Sequence, residues 1–359
     1  MNFDDLLSAP QYSLAQTRKE TELTPQFNEL TRHHRLHCPP YDRLLSVMYP
    51  GLGDAGSLAD IPFIPISLFK THRLSSIPES DVFKTLTSSG TSGQQVSQIV
   101  LDRETARRQT IALSRIMTSV LGPERLPMIL VESEAILKDR LRFNARAAGV
   151  LGMMNFGRKH FYALNDAMEL DEPGLRSFLD EYGGKPFLIF GFTFMVWQYL
   201  FLRIAHLGLD LSQGILVHSG GWKKLEEMAV GNPEFRRRIA DSTGLTRIYN
   251  FYGMAEQVGS VFLEGDDGFL YPPNFGDIIV RDPLTFREQP VGEPGVIQVL
   301  SLLPSSYPGH SILTEDMGVI RGIDDSTCNR AGKYFSVLGR VPQAELRGCS
   351  DVHASQVSA

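Results

Sequence analysis

The sequence predicts an α/β fold from the way its apolar residues are distributed. Three short apolar runs, Met128–Val131, Phe187–Phe190 and Ile215–Val217, are typical of buried strands, and helical stretches separate them. This alternation favours helices packed against a sheet. Later in the chain, two strands are predicted close together at 277–281 and 295–302, which indicates a β-rich subdomain near the end.

The N-terminal elements are predicted from helical and breaker signals. The first 60 residues are expected to be helical and polar, with turn signals near Pro39–Pro40. The apolar segment Ile61–Ile66 contains two prolines, so it is predicted to be an extended or edge segment, since proline cannot donate to a ladder. Farther on, Glu104–Val120 is predicted to be a helix that Asp102 caps.

One uncharged run, residues 186–202, has to be compared with a membrane span. A spanning helix needs about 20 apolar residues, and four residues interrupt this run: Pro186, Gly191, Thr193 and Gln198. We therefore predict a buried strand at 187–190, a turn at Gly191, a helix from Thr193, and no membrane span. The large apolar side chains here line an acid-binding pocket or belong to ordinary core: Phe190, Phe192, Phe194, Met195 and Trp197.

Composition and charge exclude several classes of protein. The chain has 359 residues, 42% of them apolar and 21% charged, which is typical of a soluble globular protein. A net charge of −6 argues against nucleic-acid binding. Three scattered cysteines, Cys38, Cys328 and Cys349, suit neither a disulfide scaffold nor a structural metal site. The N-terminus lacks the apolar core of a signal peptide, so we expect a cytoplasmic location.

A segment rich in glycine and hydroxyl groups is the strongest functional signal. Glycines let the backbone approach a ligand, and successive N–H groups can form an anion nest. Alone, such a cluster can also be a plain surface loop, and it lacks the ending of the P-loop NTPases. Interpreted as a phosphate loop, the segment consists of Ser88, Ser89, Gly90, Thr91, Ser92 and Gly93.

Two further patches follow predicted strands, where ligands of open α/β sheets gather. The first contains Gly220 and Gly221, which would let a flat base lie against the backbone, although a double glycine is also a common turn. The second contains Tyr252 and Gly253, and its aromatic ring could stack on a purine. The alternative for this tyrosine is burial in the core.

Two carboxylates complete the set of candidates. Glu256 could hold Mg²⁺, which prefers one or two carboxylates together with substrate phosphates. Alternatively, Glu256 is a structural residue in the first turn of a helix, where the helix dipole favours a negative charge. Asp316, followed by Gly318 at a predicted strand end, could bind ribose hydroxyls, or could belong to an ordinary turn.

Four motifs, at 88–93, 219–222, 252–256 and 316, resemble in this order those of the adenylate-forming enzymes. This is the superfamily of acyl-CoA synthetases and peptide-synthetase adenylation domains. Within it the chain is most similar to LuxE-type acyl-protein synthetases, through Pro65–Lys70, Lys84–Gln94 and Leu346–Cys349. One departure is clear, because the lysine that usually follows the phosphate loop is missing from residues 94–98.

The resemblance implies a domain organisation. Residues 1–335 would form the large adenylate-forming domain, with stacked mixed sheets, helices and a β-rich subdomain at about 270–335. Residues 336–359 would form a hinge and a truncated tail, with the small C-terminal domain largely absent.

The resemblance also implies an activity, with ATP and Mg²⁺ as cofactors. A fatty acid or other carboxylic acid would be converted to acyl-AMP, and the acyl group would pass to Cys349 and on to a reductase or carrier protein. Glu256 would bind Mg²⁺, and Asp316 would bind ribose. Arg340 would contact ribose or phosphate near the hinge, and Tyr252 with the double glycine would hold adenine. Cys38 and Cys328 are weaker candidates for the acyl carrier.

Two alternatives remain open from the sequence. One is an acid–CoA or acid–carrier-protein ligase of the phenylacetate–CoA ligase type, which shares the Ser-Ser-Gly-Thr pattern. The other is a non-catalytic nucleotide-binding interaction subunit, because a fold does not by itself imply a function. Comparing acyl transfer to protein with acyl transfer to CoA distinguishes the first alternative from an acyl-protein synthetase. Measuring pyrophosphate release distinguishes the second alternative from an enzyme.

Overall fold

The computed structural model describes residues 1–87, 96–138, 145–222 and 230–341. The predicted phosphate loop, Ser88–Gly93, and the predicted acyl carrier, Cys349, lie outside these ranges. The chain divides into two compact units. Of the described residues, those within 1–119 and 253–341 belong to unit 1, and those within 120–252 belong to unit 2.

Helices and strands alternate along much of the chain. The helices of the described ranges are α1 Phe3–Ser8, α2 Gln16–His37, α3 Pro39–Met48, α4 Leu68–Thr71, α5 Arg103–Leu121, α6 Ala135–Lys138, α7 Ala145–Met154, α8 Glu172–Tyr182, α9 Thr193–Met195, α10 Leu202–Ile204 and α11 Asn232–Thr243. The strands of these ranges are β1 Ile64–Pro65, β2 Lys84–Thr87, β3 Gln98–Leu101, β4 Leu126–Ser133, β5 Gly157–Leu164, β6 Phe187–Phe192, β7 Gly214–Ser219, β8 Arg247–Tyr252, β9 Phe262–Glu264, β10 Leu270–Tyr271, β11 Gly276–Arg281, β12 Pro294–Ser301, β13 Ser311–Ile323 and β14 Lys333–Arg340.

Unit 1 contains a mainly antiparallel sheet in the order β11-β12-β13-β14-β10-β9. The short strand β1 adds to it in parallel with β13, which confirms the extended segment predicted at 61–66. Strands β2 and β3 form a separate antiparallel pair. The two strands predicted at 277–281 and 295–302 are confirmed as β11 and β12, and both faces of these strands are buried.

The helices of unit 1 follow the predicted signals, with one correction. The N–H of Thr105 donates to Oδ1 of Asp102 at 2.7 Å, so the predicted cap of α5 is confirmed. The turn signal near Pro39–Pro40 coincides with the break between α2 and α3, but the break is at Cys38 and not at the prolines. Pro39 is the first residue of α3, a position where the missing N–H of proline costs no hydrogen bond.

Unit 2 contains a parallel sheet in the order β5-β4-β6-β7-β8, which confirms the three predicted buried strands. The uncharged run at 186–202 forms β6 and then a helical segment whose middle part, Val196–Phe201, is a π-helix. The predicted turn at Gly191 is wrong, because β6 continues through it. A Cβ at this position would lie 2.8 Å from Cβ of Val131, so glycine serves close packing here. No helix of the described ranges is long and apolar enough to cross a membrane.

Candidate functional site

The predicted adenine-binding residues lie at one edge of the unit 2 sheet. Strands β6, β7 and β8 are parallel, so their carboxyl ends meet at the same edge. Ser219 pairs with Phe192 on one side and with Phe251 on the other. Gly220 and Tyr252 each directly follow one of these paired residues, and the fold therefore brings them close together.

The first residue of the double glycine has a backbone conformation that favours glycine. Gly220 has a φ of +79°, in the left-handed region that disfavours other residues. Both Gly220 and Gly221 are exposed, and Tyr252 is half-buried. The backbone that directly follows β7 is therefore one that a flat ring can reach.

The large apolar side chains of β6 and of the helical segment after it belong to the core of unit 2. All five of the residues weighed for an acid-binding pocket are buried: Phe190, Phe192, Phe194, Met195 and Trp197. The ring of Trp197 stacks on that of Phe235 at a centroid distance of 5.5 Å. The core alternative therefore accounts for them.

His218, in the patch that contains the double glycine, is a structural residue of this core. The Oγ1 of Thr193 lies 2.9 Å from Nδ1 of His218 and donates to the carbonyl of Ser219 at 3.1 Å. Because the hydroxyl has one proton, Nδ1 carries the imidazole proton and donates to Thr193. Burial, assisted by the charge of Arg236, lowers the pKa of His218 to about 3, so the ring is neutral at physiological pH.

Glu256 lies in unit 1, in a single 3₁₀ turn at Ala255–Gln257. Two contacts hold this turn in place. The hydroxyl of Tyr307 donates to the carbonyl of Glu256 at 2.8 Å, and the side-chain amide of Gln257 donates to the carbonyl of Gly309 at 2.8 Å. The predicted strand–turn–helix pattern is confirmed, with one turn of 3₁₀ helix as its last part.

The carboxyl group of Glu256 is buried, with 6% of the residue exposed. Burial raises the pKa of Glu256, and the negative charge of Glu315 raises it further. A hydrogen bond with the Ser97 side chain and the positive charge of Lys70 act in the opposite direction. The ionised form would thus be stabilised by an additional cation.

Asp316 and Arg340 face each other across the ladder between β13 and β14. The Nε of Arg340 lies 3.7 Å from Oδ1 of Asp316, and its Nη1 lies 3.9 Å from Oε2 of Glu315. The predicted strand end at Asp316 is wrong. Strand β13 continues to residue 323, and its register with β14 shifts at Met317/Gly318, so Asp316 lies at an irregularity within the strand.

The carboxylates of unit 1 fit a magnesium ion that is held mainly by substrate phosphates. Within the described ranges, no group of three His, Cys, Asp or Glu side chains is arranged to hold a metal by itself. Glu256 is a single buried carboxylate whose charge is disfavoured by burial, and Mg²⁺ needs only one or two carboxylates when phosphates complete its ligands. The donor set is therefore chemically suitable.

Neither of the two described cysteines is fully exposed. Cys38 is buried, and burial raises the pKa of its thiol, which disfavours the reactive thiolate. Cys328 is half-buried and donates a hydrogen bond to the hydroxyl of Tyr271 at 3.2 Å. Both observations agree with their lower rank as acyl carriers.

Several residues around Glu256 were missed from the sequence. Tyr307 lies in no recognised motif, and only folding brings it to Glu256. Glu315 is the neighbour of the candidate Asp316, but its effect on Glu256 also depends on the fold. Lys70 was within a segment noted for its resemblance, but its relation to Glu256 depends on contacts between distant parts of the chain.

The fold is similar to that of adenylate-forming ligases of known structure. The chain is similar to a crystallised 2-hydroxyisobutyryl-CoA ligase in an open conformation in complex with 2-HIB-AMP and CoA, with a TM-score of 0.67. The match covers 92% of this chain and 77% of that chain, at 18% identity. The same ligase in the postadenylation state, in complex with 2-HIB-AMP, also gives 0.67, over 92% and 69% of the two chains at 18% identity. At this identity the likeness shows the fold alone, and it confirms the predicted α/β class.

The family follows from sequence comparison. The chain is 23% identical over 317 residues to a long-chain-fatty-acid–luciferin-component ligase of Vibrio harveyi, covering 84% of this chain and 79% of the relative. The ligase of the same name from Aliivibrio fischeri is 23% identical over 312 residues, covering 82% and 78%. The LuxE acyl-protein synthetase family matches residues 2–358. The chain belongs to this family, which confirms the resemblance stated from the motifs.

Proposed function

We propose that the protein uses ATP and Mg²⁺ to activate a long-chain fatty acid as acyl-AMP, and then transfers the acyl group to a protein thiol. The observation that carries this proposal is the LuxE family match over residues 2–358. The pairing of Asp316 with Arg340, and the buried carboxyl of Glu256 in the same unit, support it.

In the first half-reaction, a carboxylate oxygen of the acid attacks the α-phosphorus of ATP. The bond between this phosphorus and the bridging oxygen breaks, and pyrophosphate leaves with the electron pair. Asp316 would accept hydrogen bonds from the ribose hydroxyls, and Arg340 would neutralise phosphate charge beside it. Glu256 would hold Mg²⁺, which supplies charge neutralisation at the phosphates when bound. Tyr252 and the double glycine would hold adenine, and the loop at 88–93 would bind the β- and γ-phosphates.

In the second half-reaction, a thiolate attacks the carbonyl carbon of acyl-AMP. The bond from this carbon to the phosphate oxygen breaks, AMP leaves, and a thioester forms. Cys349 is the proposed thiol, because it follows Arg347 and Gly348 in the segment that resembles the family motif. A reductase or carrier protein would receive the acyl group next.

The test combines pyrophosphate release with labelled fatty acids. The wild-type protein is expected to release pyrophosphate with one acid of a chain-length series and to become labelled. Cys349→Ser is expected to keep acyl-AMP formation and lose the protein label, whereas Cys328→Ser, the matched control, should keep both.

Each failure has a distinct meaning. Label retained on the Cys349 variant would eliminate this residue as the carrier. Transfer to free CoA, without label on the protein, would favour the acid–CoA ligase alternative. Binding of ATP with no pyrophosphate release for any acid would favour the non-catalytic subunit.

A further inference from the structure

A buried connection without regular structure lies next to the turn of Glu256. Residues 302–310 join β12 to β13, and they contain no helix or strand. All of them are buried except Ser305, which is half-buried. The polar backbone groups of a buried segment have to be paired, so contacts with neighbouring elements decide where this connection lies.

One turn of helix α2 supplies several of these contacts. The Nε2 of His34 donates to the carbonyl of Pro304 at 3.2 Å, and the Nε2 of His33 donates to the carbonyl of Ser305 at 3.0 Å. The ring of His34 also stacks on that of His310, the last residue of the connection. Helix α2 is therefore in contact with both the first half and the end of this segment.

His34 is held through both of its ring nitrogens. Because Nε2 donates to a carbonyl, Nδ1 carries the lone pair and accepts from the hydroxyl of Ser76, whose oxygen lies 2.7 Å away. The N–H of Ser76 donates in turn to the carbonyl of Ser306 at 2.8 Å. His34 is fully buried, so loss of either of its hydrogen bonds would leave a buried polar group unpaired.

The same connection holds the turn of Glu256. The hydroxyl of Tyr307 and the carbonyl of Gly309 make the two hydrogen bonds to this turn that are described above. The ring of Tyr307 packs edge-on against that of the buried Phe69 at a centroid distance of 6.1 Å. A Cβ added at Gly309 would lie 3.0 Å from the carbonyl oxygen of Glu256, so the connection and the turn are in close contact.

We propose that His34 is a positioning residue for Glu256, which it reaches through residues 302–310. Its imidazole fixes the connection where this passes α2, and Tyr307 and Gly309 relate that position to the backbone of Glu256. This role deepens the proposed function and rests on it, because it takes Glu256 as the group that would hold Mg²⁺. The N-terminal helix is thereby part of the support of the candidate metal site.

Hydrogen exchange measures this support without substrate or metal. Exchange of the amides at 254–260 and 302–310 is followed by mass spectrometry in wild type, His34→Phe and His34→Gln. Phenylalanine keeps a buried ring but makes neither hydrogen bond, so exchange at 254–260 is expected to accelerate about tenfold or more. Glutamine can still donate to Pro304 and should retain most of the protection. Exchange in strand β6 of unit 2 should not change.

Two further variants separate this route from general destabilisation. Leu23→Ala removes buried packing about three turns before His34 on the same helix, so it should lower the melting temperature without selectively accelerating exchange at 254–260. Tyr307→Phe breaks only the later link, so it should accelerate exchange at 254–260 and leave residues 302–306 close to wild type.

A second readout tests the metal site itself. The Mg²⁺ concentration that gives half-maximal pyrophosphate release is expected to rise about three- to tenfold in His34→Phe, because groups that orient a metal ligand affect metal affinity. His34→Gln should restore most of the wild-type Mg²⁺ requirement.

The outcomes separate this proposal from the proposed function. Unchanged exchange at 254–260 in His34→Phe, or the same acceleration there in Leu23→Ala, would overturn the role of His34. If His34→Phe does not fold, Ser76→Ala removes only the partner of Nδ1, and unchanged exchange at 254–260 in this variant would count in the same way. A wild-type protein that releases no pyrophosphate with any acid would instead remove the proposed function, whatever the exchange pattern.

Discussion

A buried histidine cluster in unit 1 predicts a strong dependence of stability on acid. His310 is fully buried and stacks on His34 at a centroid distance of 4.9 Å. Its Nε2 lies 3.0 Å from Oγ1 of Thr31, whereas its Nδ1 has no hydrogen-bond partner in the described ranges. A protonated ring would need acceptors at both nitrogens. Burial, and then the charge of His33, lower the pKa of His310 from 6.5 to about 3.

The sign and size of the effect follow from this shift. As pH falls below 6.5, the unfolded chain binds a proton at His310 that the folded protein does not bind until about pH 3. The free energy of unfolding therefore falls by about 1.4 kcal/mol per pH unit for this group, and by roughly 5 kcal/mol over the whole interval. The pKa of His34 is also lowered, mainly by burial, so a second proton acts in the same direction.

The assay is urea unfolding of the protein at several pH values between 7 and 4, for wild type and His310→Gln. Glutamine can keep a hydrogen bond to Thr31 but does not titrate, so the variant should lose about 1.4 kcal/mol less per pH unit. The variant is also expected to be less stable than wild type at pH 7, because it disturbs a buried contact. His206→Gln, at an exposed histidine of unit 2, serves as the control. Parallel pH profiles for His310→Gln and wild type would refute the reasoning.

Three further substitutions test the candidate site and the packing around two glycines. Glu256→Gln should slow acyl-AMP formation at least tenfold, measured as Mg²⁺-dependent pyrophosphate release. It should not lower the melting temperature, because burial disfavours the charge that the substitution removes. Normal adenylation by this variant would exclude Glu256 from the metal site. Gly318→Ala should destabilise the fold by about 1–3 kcal/mol, since its Cβ would lie 2.6 Å from Cδ1 of Ile297. Gly152→Ala, in α7 with no atom within 4 Å of the added carbon, should be neutral or stabilising by up to ~1 kcal/mol; equal effects of the two alanines would contradict the packing argument.

The predictions that succeeded from sequence depended on local signals. Asp102 was recognised as a cap because a side-chain oxygen three residues before a helical N–H is a short-range relation. The wrong predictions concerned residues whose conformation is decided by distant neighbours. Gly191 has the usual composition of a turn, but its lack of a side chain serves packing against Val131. Asp316 precedes a glycine, yet pairing with β14 carries the strand past it.

For the candidate site too, local motifs could be recognised from the sequence, whereas contacts between distant residues could not. The order of short motifs along the chain sufficed to identify the superfamily and the LuxE family, because each motif is contiguous and its residue types are chemically restrictive. The sequence also determined the α/β class, through the periodicity of its apolar residues.

Only the tertiary structure placed Arg340 opposite Asp316 and related Lys70 to Glu256. These relations join positions separated by 24 residues in one case and 186 in the other. They arise from strand pairing and from the burial of Phe69 against Tyr307. The desolvation that raises the pKa of Glu256 has the same origin, because burial is a property of the packed chain and is not contained in any local stretch of sequence.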